Sequence, residues 1–182
     1  LSTVFRILGE GQLSLTKFLI GIHEDHDLKD FTELLTYILK RVQWENDLSI
    51  FADTSMDSLD YTGHKINHGS KGALLVGKEI RRKLPHKLPN SLPESLIQKA
   101  GVFCPGCLVL ETTTDLKQIT HAKMLEDWPL IVAVDDVKKA LYSETSFLWT
   151  TFTRFDPAQD IIPRAQTIQR NRLVFSGPIA ID

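Results

Sequence analysis

Six apolar residues draw one face of a helix early in the chain. Phe31, Leu34, Leu35, Ile38, Leu39 and Val42 fall at offsets 0, 3, 4, 7, 8 and 11, the period of an amphipathic helix. Asp30 stands three residues before Glu33, the spacing of a capping box. Apolar runs flank this stripe. Leu19-Ile-Gly-Ile22 precedes it and Leu48-Ser-Ile-Phe51 follows it, and both read as buried strands. The polar cluster His23-Glu-Asp-His-Asp27 reads as the loop between strand and helix.

The same order returns later. Pro129-Leu-Ile-Val-Ala-Val134 is a fully apolar strand that ends at Asp135 and Asp136. A helix is predicted from about Ser143, with Phe147, Leu148, Thr151, Phe152 and Phe155 on one face. Asp156-Pro157 ends it, because proline disfavours a helical residue before it. Leu19-Ile20 aligns with Leu130-Ile131, Arg41 with Arg154 and Asp47 with Asp160, given an adjustment of two residues. Two similar strand-helix units are therefore expected, with chance similarity of two βαβ units as the open alternative. Repeated strand-helix-strand order implies parallel pairing with right-handed crossovers. The expected fold class is α/β, a mostly parallel sheet with helices on both faces.

Between the units the pattern is weaker. Residues 53–72 form a mostly polar stretch, long for an idle loop. Residues 73–76 and 108–110 read as strands and 116–125 as a helix. Residues 77–103 read as a Pro- and Lys-rich connector with a short helix at 93–99. The length of 182 residues favours a single domain, 1–182.

Composition excludes several function classes. Hydrophobic content is 42% and charged content 24%, ordinary for a globular protein. The formal charge of −2 offers no global attraction to nucleic acid or an anionic membrane. The basic run Lys78-Glu-Ile-Arg-Arg-Lys83 lies just before Pro85, Pro89 and Pro93. It reads as a solvated linker first and a phosphate-binding patch second. No apolar run reaches the ~20 residues that span a bilayer, and no signal peptide stands in the first twelve residues. Two cysteines make no disulfide framework, so a cytoplasmic location is expected. The chain begins on Leu1 and stops in a strand-like segment, so part of something longer is expected.

Functional groups are densest in Leu59-Asp-Tyr-Thr-Gly-His-Lys-Ile-Asn-His-Gly-Ser-Lys-Gly72. Gly69-Ser-Lys-Gly72 offers backbone N–H groups and a lysine to a phosphate, but without P-loop spacing or a following helix. His64 and His68, with Asp57 and Asp60 nearby, permit a metal. A surface loop of turn formers is the alternative. Cys104-Pro-Gly-Cys107 has the spacing of a redox pair or half a zinc knuckle, but no second pair exists and His121 does not complete four ligands. A turn with two small buried thiols is the stronger reading. Asp135-Asp136 lies where open α/β sheets place ligands, although acidic residues there more often cap the next helix. No G-x-G-x-x-G, G-x-S-x-G or H-E-x-x-H occurs.

Several motifs together resemble a known family. Lys17-Phe-Leu-Ile, Asp25, Asp30-Phe31, Asp47, Ser55-Met-Asp-Ser-Leu-Asp-Tyr-Thr-Gly63 and Asn67-His-Gly-Ser-Lys71 look like the C-terminal region of UbiD-like decarboxylases. Phe103-Cys-Pro-Gly-Cys107 and Phe147-Leu-Trp-Thr-Thr-Phe-Thr-Arg-Phe155 look like the long branch of that family associated with menaquinone biosynthesis.

The resemblance implies a carboxy-lyase that decarboxylates an aromatic acid non-oxidatively in menaquinone or ubiquinone biosynthesis. It implies prenylated FMN, a divalent metal (Mn or Mg) and potassium in the full-length enzyme, none of them bound to this fragment alone. It places the catalytic Glu-Arg-Glu set, and the metal ligands, in N-terminal and central domains upstream, so no catalytic or metal residue is expected here. Lys17 is the implied cofactor-binding residue. Tyr61, Asn67, Ser70 and Lys71 are the candidates for a substrate or active-site loop. The family often has proline where this chain has His64, and an acidic residue where it has His68. The expected partners are the missing domains, further copies in a homo-oligomer and an aromatic acid. The alternative is an oligomerisation or binding module with no catalytic contribution.

Overall fold

The structure is a computed structural model that describes residues 2–89 and 91–182. Its strands are β1 (Phe18–Gly21), β2 (Leu48–Ser55), β3 (His68–Leu75), β4 (Lys99–Cys104), β5 (Cys107–Glu111), β6 (Leu130–Ala133), β7 (Ile161–Gln169) and β8 (Arg172–Ile181). Its helices are α1 (Ser2–Gly9), α2 (Phe31–Arg41), α3 (Trp44–Asp47), α4 (Leu116–His121), α5 (Val137–Ala140), α6 (Glu144–Phe152) and α7 (Pro157–Asp160).

The strands form two mixed sheets. The smaller has the order β1-β3-β2, with β3 parallel to β1 and antiparallel to β2. The larger has the order β4-β5-β6-β8-β7. There β5–β6 and β6–β8 are parallel, and β4–β5 and β7–β8 are antiparallel. Half of these pairings are antiparallel, which overturns the mostly parallel sheet expected from the pattern. The strand leaving each helix does not return beside the strand that entered it. It turns back through a hairpin, and the next strand takes the place between them. β3 thus lies between β1 and β2, and β8 between β6 and β7.

Helices on both faces are overturned as well. The main core joins Leu48 and Leu74 of the smaller sheet to Val109, Val132 and Ile179 of the larger, with Ile38 and Leu39 of α2 among them. One face of the larger sheet is therefore closed largely by a second sheet and by α2. Its other face carries a separate cluster around Ile119, Trp128 and Ile131. The outer face of the smaller sheet packs Ala73 against Val4 and Leu8 of α1.

Local sequence explains the elements. Asp30 caps α2 by accepting a hydrogen bond from Glu33 N at 2.8 Å, which satisfies an orphan donor of the first turn. Ser143 caps α6 in the same way through Ser146 N. Glu144 reaches across to the start of α2, accepting from Thr32 N at 2.8 Å and Phe31 N at 3.3 Å. Thr32's bonds are the main reason its carboxyl sits below the usual pKa range. Gly72 is required by a close approach, since a Cβ there would lie 2.3 Å from the Phe18 ring. The turn Cys104-Pro-Gly-Cys107 has Gly106 at φ +85, as a type II turn demands.

The expected helix over 116–125 divides into α4 and a 3-10 turn at Lys123–Leu125. The expected short helix at 93–99 is a single turn, in which Pro93 O accepts from Leu96 N and Ile97 N. The stretch 53–72 is largely a hairpin, because Thr54 pairs with Gly69 and Ser55 with His68. Residues 56–67 are its connection.

Candidate functional site: a cationic cleft at the mouth of an apolar cavity

Lys17 stands immediately before β1, and its carbonyl accepts from Gly72 N at 2.9 Å. That backbone contact fixes where its side chain starts. Its Nζ donates to both oxygens of Asp60, at 3.0 and 2.8 Å, and to Thr62 Oγ1. Asp60 belongs to the β2–β3 connection and orders it, because Thr62 N and Oγ1 both donate to Asp60 Oδ1, at 2.9 and 2.6 Å. Burial raises the pKa of Asp60, but the bonds from Lys17 and Thr62 outweigh it and hold the carboxyl below its ordinary value. The side chains of Lys17 and Asp60 are only 19% and 15% exposed.

This pair lines one wall of a cleft of about 610 Å³. Tyr61 shares that wall. Thr153, Arg154 and the rings of Phe152 and Phe155 form the other. Phe152 and Phe155 also line a second cavity of about 250 Å³ between the two sheets, walled entirely by Phe, Leu, Ile and Trp residues. The two spaces therefore adjoin across shared rings.

The five residues singled out from the sequence are not gathered in one place. Lys17 and Tyr61 meet in the cleft. Ser70 is 2% exposed, donates to Asp156 Oδ1 and accepts from Ala158 N at 2.8 Å. Lys71 is its neighbour and points to the opposite sheet face, as strand alternation requires. There its Nζ donates to Leu8 O at 2.9 Å and to Ser14 O, and burial lowers its pKa. Asn67 adopts φ +61 beside the start of β3, and its carbonyl accepts from Met56 N at 3.0 Å.

The other clusters have structural partners. His68 lies 3.4 Å from Asp53 at an exposed position. Among the described residues no three His, Cys, Asp or Glu side chains converge as a metal site. Cys104 and Cys107 are free and 2% and 0% exposed. Burial pushes the Cys107 thiol well up, whereas the hydrogen bond with Cys107 lowers that of Cys104. The burial of both sulfurs, away from the exposed setting of a reactive cysteine, is what stands against the redox reading. Asp136 caps α5 by accepting from Lys139 N at 3.0 Å.

Sequence reasoning passes over Thr62, Arg154, Phe152 and Phe155 as site residues. The last three sit in the aromatic motif of α6 and the turn after it, which reads as core. The signal that Arg154 follows an apolar face yet faces solvent is present, but the residue opposite it lies about ninety positions earlier.

Residues 2–75 match the model of the 3-octaprenyl-4-hydroxybenzoate carboxy-lyase C-terminal domain, the UbiD C-terminal family. Residues 2–75 are thus similar to a UbiD C-terminal domain. Over its full length it is 43% identical to a Chlamydia pneumoniae protein named as a component of 4-hydroxybenzoate decarboxylase, of which it covers 32%. It is 46% identical to an uncharacterised protein of Chlamydia caviae, again covering 32%. The chain thus spans about a third of the length of the curated relatives it matches. No solved structure matches it. The matched domain is named for a carboxy-lyase, and the match contains both Lys17 and the Asp60–Thr62 turn.

Proposed function

We propose that this chain is the C-terminal region of a longer carboxy-lyase that removes CO2 from an aromatic acid in menaquinone or ubiquinone biosynthesis. The observation that carries the reading is the family match over residues 2–75 together with a polar cleft that has one wall in that match. The whole enzyme is read as a cytoplasmic homo-oligomer whose catalytic acid, base and metal ligands lie upstream of this chain. No helix among the described residues is long and apolar enough to cross a membrane.

The residues present fit different groups unequally. A divalent metal does not fit, because no three ligating side chains converge among the described residues. Prenylated FMN fits better as a neighbour of the cleft, where Lys17 is held in place beside aromatic side chains. When bound, that cofactor supplies a sink for the electrons left by departing CO2. This chain's part is to hold and shield. Asp60 and Thr62 fix the Lys17 ammonium, which places a donor at the cleft wall without cost of ordering it later. Phe152 and Phe155 exclude water from one side. Tyr61 is the candidate at the open side. Ser70 and Lys71 keep the β2–β3 hairpin seated, and Asn67 shapes the start of β3.

The test replaces the matching third of the Chlamydia pneumoniae relative with this chain and measures CO2 release from 4-hydroxybenzoate with prenylated FMN supplied. The expected result is turnover by the chimaera, none by this chain alone, and a loss with Lys17→Ala. Turnover by the isolated chain would falsify the assignment of catalysis to missing regions.

One observation favours the second reading, an oligomerisation or binding module. α6 exposes Trp149 at 70%, with Leu148 and Phe152 beside it. Unchanged turnover in the Lys17→Ala chimaera, with loss of assembly in Trp149→Glu, would select that reading.

A further inference from the structure

We propose that a second cavity, beside Trp44, is a binding site for a compact phosphate monoester, with the phosphate held by Arg82 and Arg164. It shares no residue with the Lys17 cleft.

Separate stretches of chain build this cavity of about 280 Å³. α3 brings Trp44, the basic run at 78–83 brings Arg82 and Lys83, and the β7–β8 pair brings Arg164 and Gly177. The basic run is tied to the end of α2, because Arg81 N and Arg82 N donate to Lys40 O at 2.8 and 3.3 Å. It is therefore not a free linker. Arg164 is placed by a bulge. The β7–β8 register shifts between Pro163 and Ala165, and a bulge re-aims the side chain it frees. Gly177 stands against it at φ +79, where a Cβ would lie 2.7 Å from Arg164 Cβ.

Both arginines are half-buried, and among the described residues neither has an ion pair. Arg82 Nη1 donates to Leu39 O at 3.2 Å, and Arg164 Nε to Thr120 O at 2.6 Å. Each guanidinium thus rests on the last turn of a helix, α2 or α4. A helix end orients it but offers at most about half an elementary charge. A guanidinium has five N–H donors, so each keeps most of them for another acceptor. Burial lowers the pKa of Arg82 against the through-space charges of Glu45 and Asp47. A buried charge without a counter-charge is costly, and an anion removes that cost. Two cations match the dianion of a phosphate monoester, and their planar forks match its oxygens. A carboxylate would leave one charge unmet.

The rest of the lining sets the size of the ligand. Glu45, Glu126 and Asp127 balance the three cations Arg82, Lys83 and Arg164, so no net field draws in a polyanion. Glu126 and Asp127 are exposed and repel charge beyond one phosphate. Trp44, Pro129 and Pro178 are the buried apolar part of the lining, which suits a small ring or short alkyl body on the ester.

Phenyl phosphate is the probe, with phenol lacking the head, inorganic phosphate lacking the body and ATP carrying excess charge. Each is titrated into the 182-residue chain, and into the chimaera described above, by calorimetry and phosphorus NMR. The expected result is saturable binding of phenyl phosphate to both proteins, weaker binding of inorganic phosphate and ATP, and none of phenol. Arg82→Ala and Arg164→Ala should each weaken phenyl phosphate about tenfold or more. Glu126→Gln should strengthen it about twofold.

No binding at millimolar phenyl phosphate, or equal binding of phenol, overturns the site. ATP bound as tightly as phenyl phosphate overturns the compact ligand. Arginine variants that lose stability in urea but keep their affinity would leave both side chains as helix caps alone, and overturn the site too. If either variant fails to fold, Lys83→Glu and Glu126→Gln decide, since both positions are exposed. The first must weaken binding and the second must tighten it. Binding to the chain but not to the chimaera means that the longer protein covers the cavity, which also overturns the proposal. None of these readouts needs decarboxylation, so failure here is distinct from failure of the proposed reaction.

Discussion

Asp47 and Asp160 hold the same place in the two halves of the chain. Each ends a four-residue helix and accepts from the backbone N–H four residues earlier, Asp47 from Gln43 at 2.7 Å and Asp160 from Asp156 at 2.5 Å. Each then leads directly into the strand that turns back through a hairpin. The resemblance between the halves is thus one of capping and strand order, β1-β3-β2 and β6-β8-β7. Asp47→Ala is expected to cost about 1 kcal/mol, the usual worth of a cap, as measured by urea unfolding.

Asp160 differs in electrostatics. Burial, then the charges of Asp156 and Asp182, raise its pKa above the ordinary value against the bond from Asp156 N. A carboxyl raised in the folded state contributes stability below its unfolded pKa of about 3.8 and loses it as pH rises through the folded value. Asp160→Asn keeps an acceptor oxygen and removes that loss. The variant should therefore gain on wild type as pH rises from acid to neutral. A constant difference across that range would show that Asp160 carries no such penalty.

Much of this architecture is hidden in the sequence for identifiable reasons. The stripe of α2 is legible because six apolar residues keep one period, and Asp30 and Glu33 mark its start. β3 is not, because His68-Gly-Ser-Lys-Gly72 reads as a turn-forming loop although residues 69–74 are buried. The β7–β8 hairpin escapes because its turn is Arg170-Asn171, with φ +50 and +60, and not the Asn-Gly pair that advertises such turns. In the site, Lys17 is visible through local wording alone. Its partner Asp60 lies 43 residues away, and no pattern along the chain joins them.

The Lys17–Asp60 pair predicts the opposite pH behaviour. Asp60 is held below its ordinary pKa of 3.8, so its contribution is present above that value and lost as pH falls through the folded one. Asp60→Asn should destabilise by about 1–2 kcal/mol at neutral pH, and the difference should shrink in acid. Amide exchange in residues 57–62 should rise in the variant.

Lys71→Met removes the donor that holds the carbonyls of Leu8 and Ser14. Protease cleavage near residues 8–14 should accelerate, because the end of α1 loses its tie to β3. Because burial depresses the Lys71 pKa, wild-type stability should rise relative to the variant as pH climbs towards 10.5, the ordinary lysine value. No change in cleavage would mean that α1 is held by Val4 and Leu8 packing alone.

Ser70→Ala breaks the link between β3 and α7. Asp156 is 3% exposed and would keep Gln159 Nε2 and Ala158 N as donors. A cost of about 1–2 kcal/mol is expected, with Cys104 and Cys107 becoming open to alkylation at lower urea than in wild type. Alkylation of both thiols in the native wild-type chain would contradict their burial.

The apolar cavity between the sheets has a mechanical meaning beyond any ligand. Space that no atom fills is volume that the unfolded chain does not keep, so compression favours unfolding. At about 250 Å³ this partly open space makes the seam between the sheets a soft layer. Hydrostatic pressure should part the two sheets there first, before heat or urea at comparable stress does so.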